Sequence, residues 1–291
     1  MAGRKSRGSP PLATGEGRNP TSESGERIRG QTERLSLAAL DYGSRLGSLT
    51  APALANRLYR YHFTPGGSRW WGTVDSPDAA RRFLRVPAGS FRLAGDWSSP
   101  VALTDSWFHW AGRDPNRTSD YKVYLSPALA ELPGALATLL GAAATLPVTG
   151  IKAGAEAATL LRPDRVVIYC SQAAEVCVIA TALGRALGGI AAHGVPFTAA
   201  LTPDGLLSWG SDREARRILG RRHRRPASAK IEASDGSKGA GRSWRTMVAA
   251  VAALGLVAGR SRPSSVAVAL RYLARTGVDP RTFGPAATQL P

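Results

Sequence analysis

Apolar residues recur along this chain with two different periods, and the alternation between them predicts its elements. After about 31 residues with almost nothing apolar, Leu35, Leu37, Ala38, Leu40 and Leu46 mark a helix for which Thr32 is a suitable N-cap. Thr50 followed by Pro52 opens a second, through Leu54, Leu58 and Tyr61. From Arg69 to Trp110, β-forming residues broken by Pro, Gly, Ser and Asp predict short antiparallel strands, with a small helix near Ser76 to Leu84.

The middle of the chain is the most regular. Strands are expected at Tyr121–Ser126, Val148–Lys152, Arg165–Tyr169 and Val195–Leu201, with helices from Pro127 to about Leu140 and over Ala173–Leu187. Asp204 to Asp212 reads as turn, short apolar strand and turn. Residues 211–242 lose the apolar period and read as a flexible basic insertion. Helices over Ser243–Leu256 and Ser264–Arg275 follow, the second stopped by Gly277 and Pro280.

This order predicts an α+β fold: a central mixed sheet with helices on one face, an N-terminal helical and short-strand subdomain, and C-terminal helices. The expected divisions are a disordered basic arm (1–31), the helical and short-strand subdomain (32–118), the α+β core (119–212), the insertion (213–241), the C-terminal helices (242–276) and a tail (277–291). The longest apolar run, Met247 to Gly259, is shorter than the ~20 residues of a bilayer span, and no secretion signal precedes Leu35, so a cytoplasmic protein is expected.

Charge alters this picture. The 291 residues carry a net +17, which suggests a nucleic-acid partner. Yet residues 31–212 account for only +2, while residues 1–30 carry +3, residues 213–245 carry +8 and residues 246–291 carry +4. The candidate core is nearly neutral, and an evenly basic nucleic-acid-binding domain is disfavoured. Of the 38 basic residues 33 are Arg and five are Lys.

That scarcity makes each lysine informative, because a desolvated Lys can become a neutral base and an Arg cannot. Lys122 and Lys152 are the only lysines between residues 31 and 212, and both fall on expected strands. Gly150 and Gly154 around Lys152 would let backbone come close to a ligand. His193 sits at a turn before a strand, where its near-neutral titration suits it to proton transfer. His62 and His109 lie among aromatic residues and read as packing. Arg162 and Arg245 are candidate anion contacts, the latter at a helix start whose N–H groups would add to it. Cys170 and Cys177, the only cysteines, cannot form a four-ligand zinc site without clustered histidines, so no metal and no cofactor is expected.

The segments Leu54-Ala-Asn-Arg-Leu-Tyr59, Tyr121-Lys-Val-Tyr124, Gly150-Ile-Lys152, Leu161-Arg-Pro-Asp-Arg-Val-Val-Ile-Tyr169, Gly194-Val-Pro-Phe-Thr198, Gly205-Leu-Leu-Ser-Trp-Gly210 and Ser243-Trp-Arg245, taken in order, resemble the HopA-type effector and lyase-like family. That family includes the elimination proteins of class V lanthipeptide (lanthidin) pathways. The resemblance spans about residues 50–250. A Ser-Phe-Gly-like motif typical of the family appears here as Ser243-Trp-Arg245, and the basic insertion before it is atypical.

The resemblance implies a lyase that removes phosphate from phosphoserine or phosphothreonine in a ribosomally made precursor peptide. A partner kinase would supply that phosphate. Such an elimination needs a base for the Cα proton, cations for the departing phosphate and an acid to protonate it. Lys152 is assigned as base, His193 as acid, and Lys122, Arg162 and Arg245 as phosphate clamps. The alternative is a noncatalytic accessory protein that binds a peptide, a partner protein or nucleic acid through its basic segments.

Overall fold

A computed structural model describes residues 30–67, 70, 73–86, 90–93, 97–100, 102–104, 106–112, 114, 116–222, 243–262, 264–286 and 290. The expected arm and most of the expected insertion lie outside them. Among the described residues the architecture is α+β, as expected.

The helices are α1 (Gln31–Ser44), α2 (Ala51–Tyr59), α3 (Pro77–Leu84), α4 (Leu132–Ala142), α5 (Ala157–Leu160), α6 (Ala173–Ala186), α7 (Asp212–Arg222), α8 (Trp244–Ala258) and α9 (Ser265–Thr276). A small hairpin pairs β1 (Ser90–Leu93) with β2 (Trp97–Pro100). The main sheet contains β3 (Ala102–Thr104), β4 (Trp107–Ala111), β5 (Tyr121–Leu125), β6 (Gly150–Gly154), β7 (Val166–Cys170), β8 (Ala199–Ala200) and β9 (Leu207–Ser211). Their spatial order is β3-β4-β6-β7-β5-β9-β8.

Every described pairing in this sheet is antiparallel, where a mixed sheet was expected. Helices do separate several strands in sequence, but none of them serves as a crossover between neighbouring parallel strands. β5 is flanked by β7 and β9, so Lys122 stands on an interior strand.

Period-two alternation gives the central strands two unlike faces. One face presents Val123, Leu125, Ile151, Ala153, Val166, Ile168, Leu207 and Trp209 to Leu132, Leu136 and Leu139 of α4 and to Val176, Ile179 and Leu183 of α6, forming one core. A second core joins α1, α2, α8 and α9 through Leu40, Leu54, Leu58, Met247, Val251, Leu256 and Leu273. The long apolar run of α8 is thus the spine of a helical cluster. No helix among the described residues is long and apolar enough to cross a membrane.

Four further differences from expectation have local causes. Helix α1 begins two residues earlier, capped at Gly30, whose N–H donates to the Glu33 carboxylate, while Thr32 is buried inside the helix. The segment 213–222, expected to begin a flexible insertion, is helix α7. Ala215 and Ile218 are buried one turn apart, and Arg216 and Arg217 pair with Asp120 and Glu214. Only Ala199–Ala200 of the expected strand Val195–Leu201 pairs, because Pro196 lacks a donor and Phe197 adopts φ 64°, which turns the chain. Gly154 makes room for protein and not for a ligand, since a Cβ there would lie 2.7 Å from the Leu160 nitrogen in α5.

Candidate functional site

The face of the sheet opposite α4 and α6 carries the chemistry. Register aligns Ser208, Tyr124, Val167, Lys152 and His109 in one row across β9, β5, β7, β6 and β4. The adjacent row reads Gly210, Lys122, Tyr169 and Gly150. Lys122 and Lys152 therefore share a face, one row apart on either side of β7.

The two lysines differ in their partners. Lys122 Nζ lies 2.6 Å from Asp212 Oδ2 and 5.4 Å from the centre of the Tyr169 ring. The other carboxylate oxygen of Asp212 accepts the Trp244 backbone N–H at 3.0 Å. One side chain thus ties Lys122 to the start of α8, a position favourable to a negative group. The helix start expected to receive a phosphate already holds this carboxylate. Gly210 permits the arrangement, because a Cβ there would fall 2.5 Å from the Trp244 ring.

Lys152 Nζ rests 4.1 Å from the centre of the Trp107 ring. Burial, followed by the charge of Lys122, lowers its pKa to about 8. Part of its population is therefore neutral near physiological pH, the form a general base needs.

Arg162 and Arg245 meet on Asp164. Arg162 donates from Nε to Oδ1 and from Nη2 to Oδ2, each at 2.9 Å, and Arg245 Nη1 lies 3.0 Å from Oδ1. That last contact is an ion pair without the angle of a hydrogen bond, so Nη1 of Arg245 is a buried donor with no hydrogen-bond acceptor. Burial alone would raise the Asp164 carboxyl, but Arg162 and Arg245 outweigh it and hold it far below the usual range. The Arg162 guanidinium also stands 5.2 Å from the Trp107 ring, which links this cluster to Lys152.

Arg245 is only 1% exposed, and it donates to the carbonyls of Tyr59 at 2.5 Å and Pro196 at 3.3 Å. It stands behind Asp164, whereas Arg162, with 16% of its side chain exposed, stands in front.

His193 is held by a different contact. Its ring stacks on His62 at 4.1 Å between centres; its Nε2 donates to the His62 carbonyl at 2.8 Å, and His62 Nε2 donates to the His193 carbonyl at 3.0 Å. Donation to carbonyls fixes both neutral rings as Nε2–H tautomers. Burial, then the charge of Arg165, lowers the His193 pKa to about 3. Arg165 is fully buried, and burial lowers its own pKa to about 10.

The structure brings Lys122, Lys152, Arg162 and Arg245 into one connected cluster of cations, aromatic rings and two carboxylates. His193 borders that cluster beside Arg165 with its Nε2 already engaged. Sequence reading passed over four residues here: Asp164 and Asp212, which orient the cations; Tyr59, which lies against both arginines; and His109. The last is half-buried and pairs in register with Lys152 on the same face. Period-two counting on Trp107-Phe-His-Trp110 assigns Phe108 and Trp110 to the core and His109 to the face opposite it. Among the described residues no group of three or more His, Cys, Asp or Glu gathers to hold a metal ion.

No family model matches this chain, and no curated protein does. Among solved structures, an effector protein from Pseudomonas syringae pv. tomato strain DC3000 overlaps with TM-score 0.49 and 14% identity, over 87% of this chain and 98% of that one. The phosphothreonine lyase OspF from Shigella flexneri overlaps with TM-score 0.33 and 16% identity, over 46% of this chain and 88% of its own. For the phosphothreonine lyase SpvC from Salmonella the values are 0.35 and 15%, over 65% and 95%. Each overlap is loose.

Proposed function

We propose that this protein eliminates phosphate from phosphoserine or phosphothreonine in a polypeptide, leaving a dehydroamino acid and inorganic phosphate. The observation that carries the reading is a lysine with a pKa of about 8 sharing one sheet face with a second lysine and an arginine. A lowered amine pKa supplies a base near neutral pH, and fixed cations stabilise a departing phosphate.

In this mechanism the neutral Lys152 amine removes the Cα proton of the phosphorylated residue. The Cα–H electron pair becomes the second bond between Cα and Cβ, and the Cβ–O bond breaks with its electrons leaving on phosphate. Lys122 and Arg162 receive the phosphate charge, while Arg245 supports them from behind Asp164. The proton for the leaving oxygen comes from His109 on β4, the cross-strand neighbour of Lys152 on β6. His193 suits this step less well than its position before a strand suggests, because its ring is kept neutral and its Nε2–H is already donated to the His62 carbonyl. In the finer form of the proposal the substrate is a ribosomally made precursor peptide of a lanthipeptide-type pathway, phosphorylated by a partner kinase in the cytoplasm.

Phosphate release from a phosphothreonine peptide, followed against pH, tests this assignment. The rate should rise as pH increases through about 8. His109→Gln should lower it by about a hundredfold or more, the usual contribution of a general acid, and His193→Gln by less than about tenfold. Full activity in His109→Gln would overturn the acid assignment. Tight binding of the phosphopeptide without release by the wild type would instead return the noncatalytic reading.

A further inference from the structure

Tyr59, the last residue of α2, lies 105 positions before Asp164 and meets both arginines that bind it. Its hydroxyl donates to Asp164 Oδ2 at 3.3 Å and accepts a short hydrogen bond from Arg162 Nη2. Its backbone carbonyl, at the negative end of α2, accepts from Arg245 Nη2 at 2.5 Å. Its ring lies 5.2 Å from the Arg162 guanidinium and 4.4 Å from that of Arg245.

The hydroxyl, Asp164 Oδ2 and Arg162 Nη2 close a triangle in which each group touches the other two. Asp164 holds Arg162 along one edge through two parallel hydrogen bonds. The phenol adds a contact from outside the sheet, so the guanidinium plane depends on where α2 packs. Helix α2 is anchored in the helical core by Leu54 and Leu58, both essentially unexposed. Phenylalanine would supply the same ring to both guanidiniums, so the hydroxyl serves Arg162 and Asp164 and not the packing of the ring.

We propose that Tyr59 is a positioning residue for phosphate recognition: through its hydroxyl it sets the plane of Arg162, and through α2 it couples the helical core to the anion-binding end of the sheet. This rests on the phosphate-lyase reading for the identity of the anion. The role concerns binding of the phosphate group and leaves the proton transfers at Lys152 untouched. Loss of the hydroxyl should therefore separate KM from kcat.

Tyr59→Phe, which retains the ring, is the test, with a phosphothreonine peptide as substrate and inorganic phosphate as competitor. KM and the inhibition constant of phosphate should rise together by about tenfold, the scale of one hydrogen bond to a charged group. At the same time kcat should stay within about twofold of wild type with an unchanged pH profile. Unaltered KM and phosphate inhibition would overturn the role, as would a fall in kcat alone. If the wild type releases no phosphate from any phosphopeptide, the lyase reading fails by itself. Calorimetric titration with inorganic phosphate then decides the Tyr59 role: weaker binding to Tyr59→Phe than to wild type upholds it, and equal binding or no binding to wild type overturns it.

Discussion

The two faces of the central sheet are made by the same five-residue strands and obey opposite rules. On the face covered by α4 and α6, Val123, Ile151 and Ile168 are fully or nearly fully buried and gain from burial at every position. On the other face, Lys122, Lys152 and Tyr169 alternate with them along the chain, and burial works against the charged forms of Lys152 and Tyr169. The lowered pKa of Lys152 and the raised one of Tyr169 record that cost, desolvation being the leading cause for each. One register thus produces a face that holds the fold together and a face whose buried titratable groups are shifted from their ordinary pKa values.

This contrast is most sharply tested at Lys152. Lys152→Met should reduce elimination by about a thousandfold or more, as expected when a general base is removed. It should also stabilise the fold by about 3 kcal/mol at pH 7, because the cost of keeping charged an amine whose pKa has fallen to about 8 disappears. Enzyme assay and denaturant melts check the two halves separately. A destabilised Lys152→Met would show that the second face is packed like the first.

The opposite face should respond in the reverse sense. Ile168→Ala leaves a cavity among fully buried neighbours and should cost about 2–4 kcal/mol of stability, with kcat unchanged in the protein that remains folded. Gly210→Ala should fall between these cases, losing about 1–3 kcal/mol as its new Cβ meets Trp244 and disturbs the Asp212 link to Lys122.

The smallest effect concerns the His62–His193 pair, which borders the charged face. Above about pH 7.5 both rings are neutral in folded and unfolded chains alike. As pH falls below that, the unfolded chain takes up protons that folded His193 refuses down to about pH 3, so stability declines through this window. The expected slope is at most about 1.4 kcal/mol per pH unit for one such group, and His193→Gln should flatten it in melts from pH 6.5 to 5. That range lies above the one in which Asp164 would contribute.

How much of this was legible in the sequence depended on the range of the interaction involved. Helices α6, α8 and α9 and strands β5 and β7 follow from local periodicity and turn residues, and they lie within a few residues of expectation. The two lysines of the site were legible through their rarity among arginines. Helix α7 was not, since its arginines hide the buried pair Ala215 and Ile218 in a run that looks solvated. The counter-ions were invisible for another reason. Asp212 reaches Lys122 and the start of α8 from 90 and 32 positions away, and Asp164 reaches Tyr59 across 105, and nothing in local spacing encodes those meetings. His109 was within reach, because counting alternate residues from Phe108 and Trp110 separates it from the packed aromatics.

The central claim is that the charged face performs an elimination and not a hydrolysis, and mass spectrometry of a phosphothreonine peptide before and after incubation tests it most directly. Elimination predicts a product lighter by the mass of phosphoric acid, formed by wild type and not by Lys152→Met. A product lighter only by the mass of metaphosphate, which restores threonine, would contradict the account, as would an unchanged peptide.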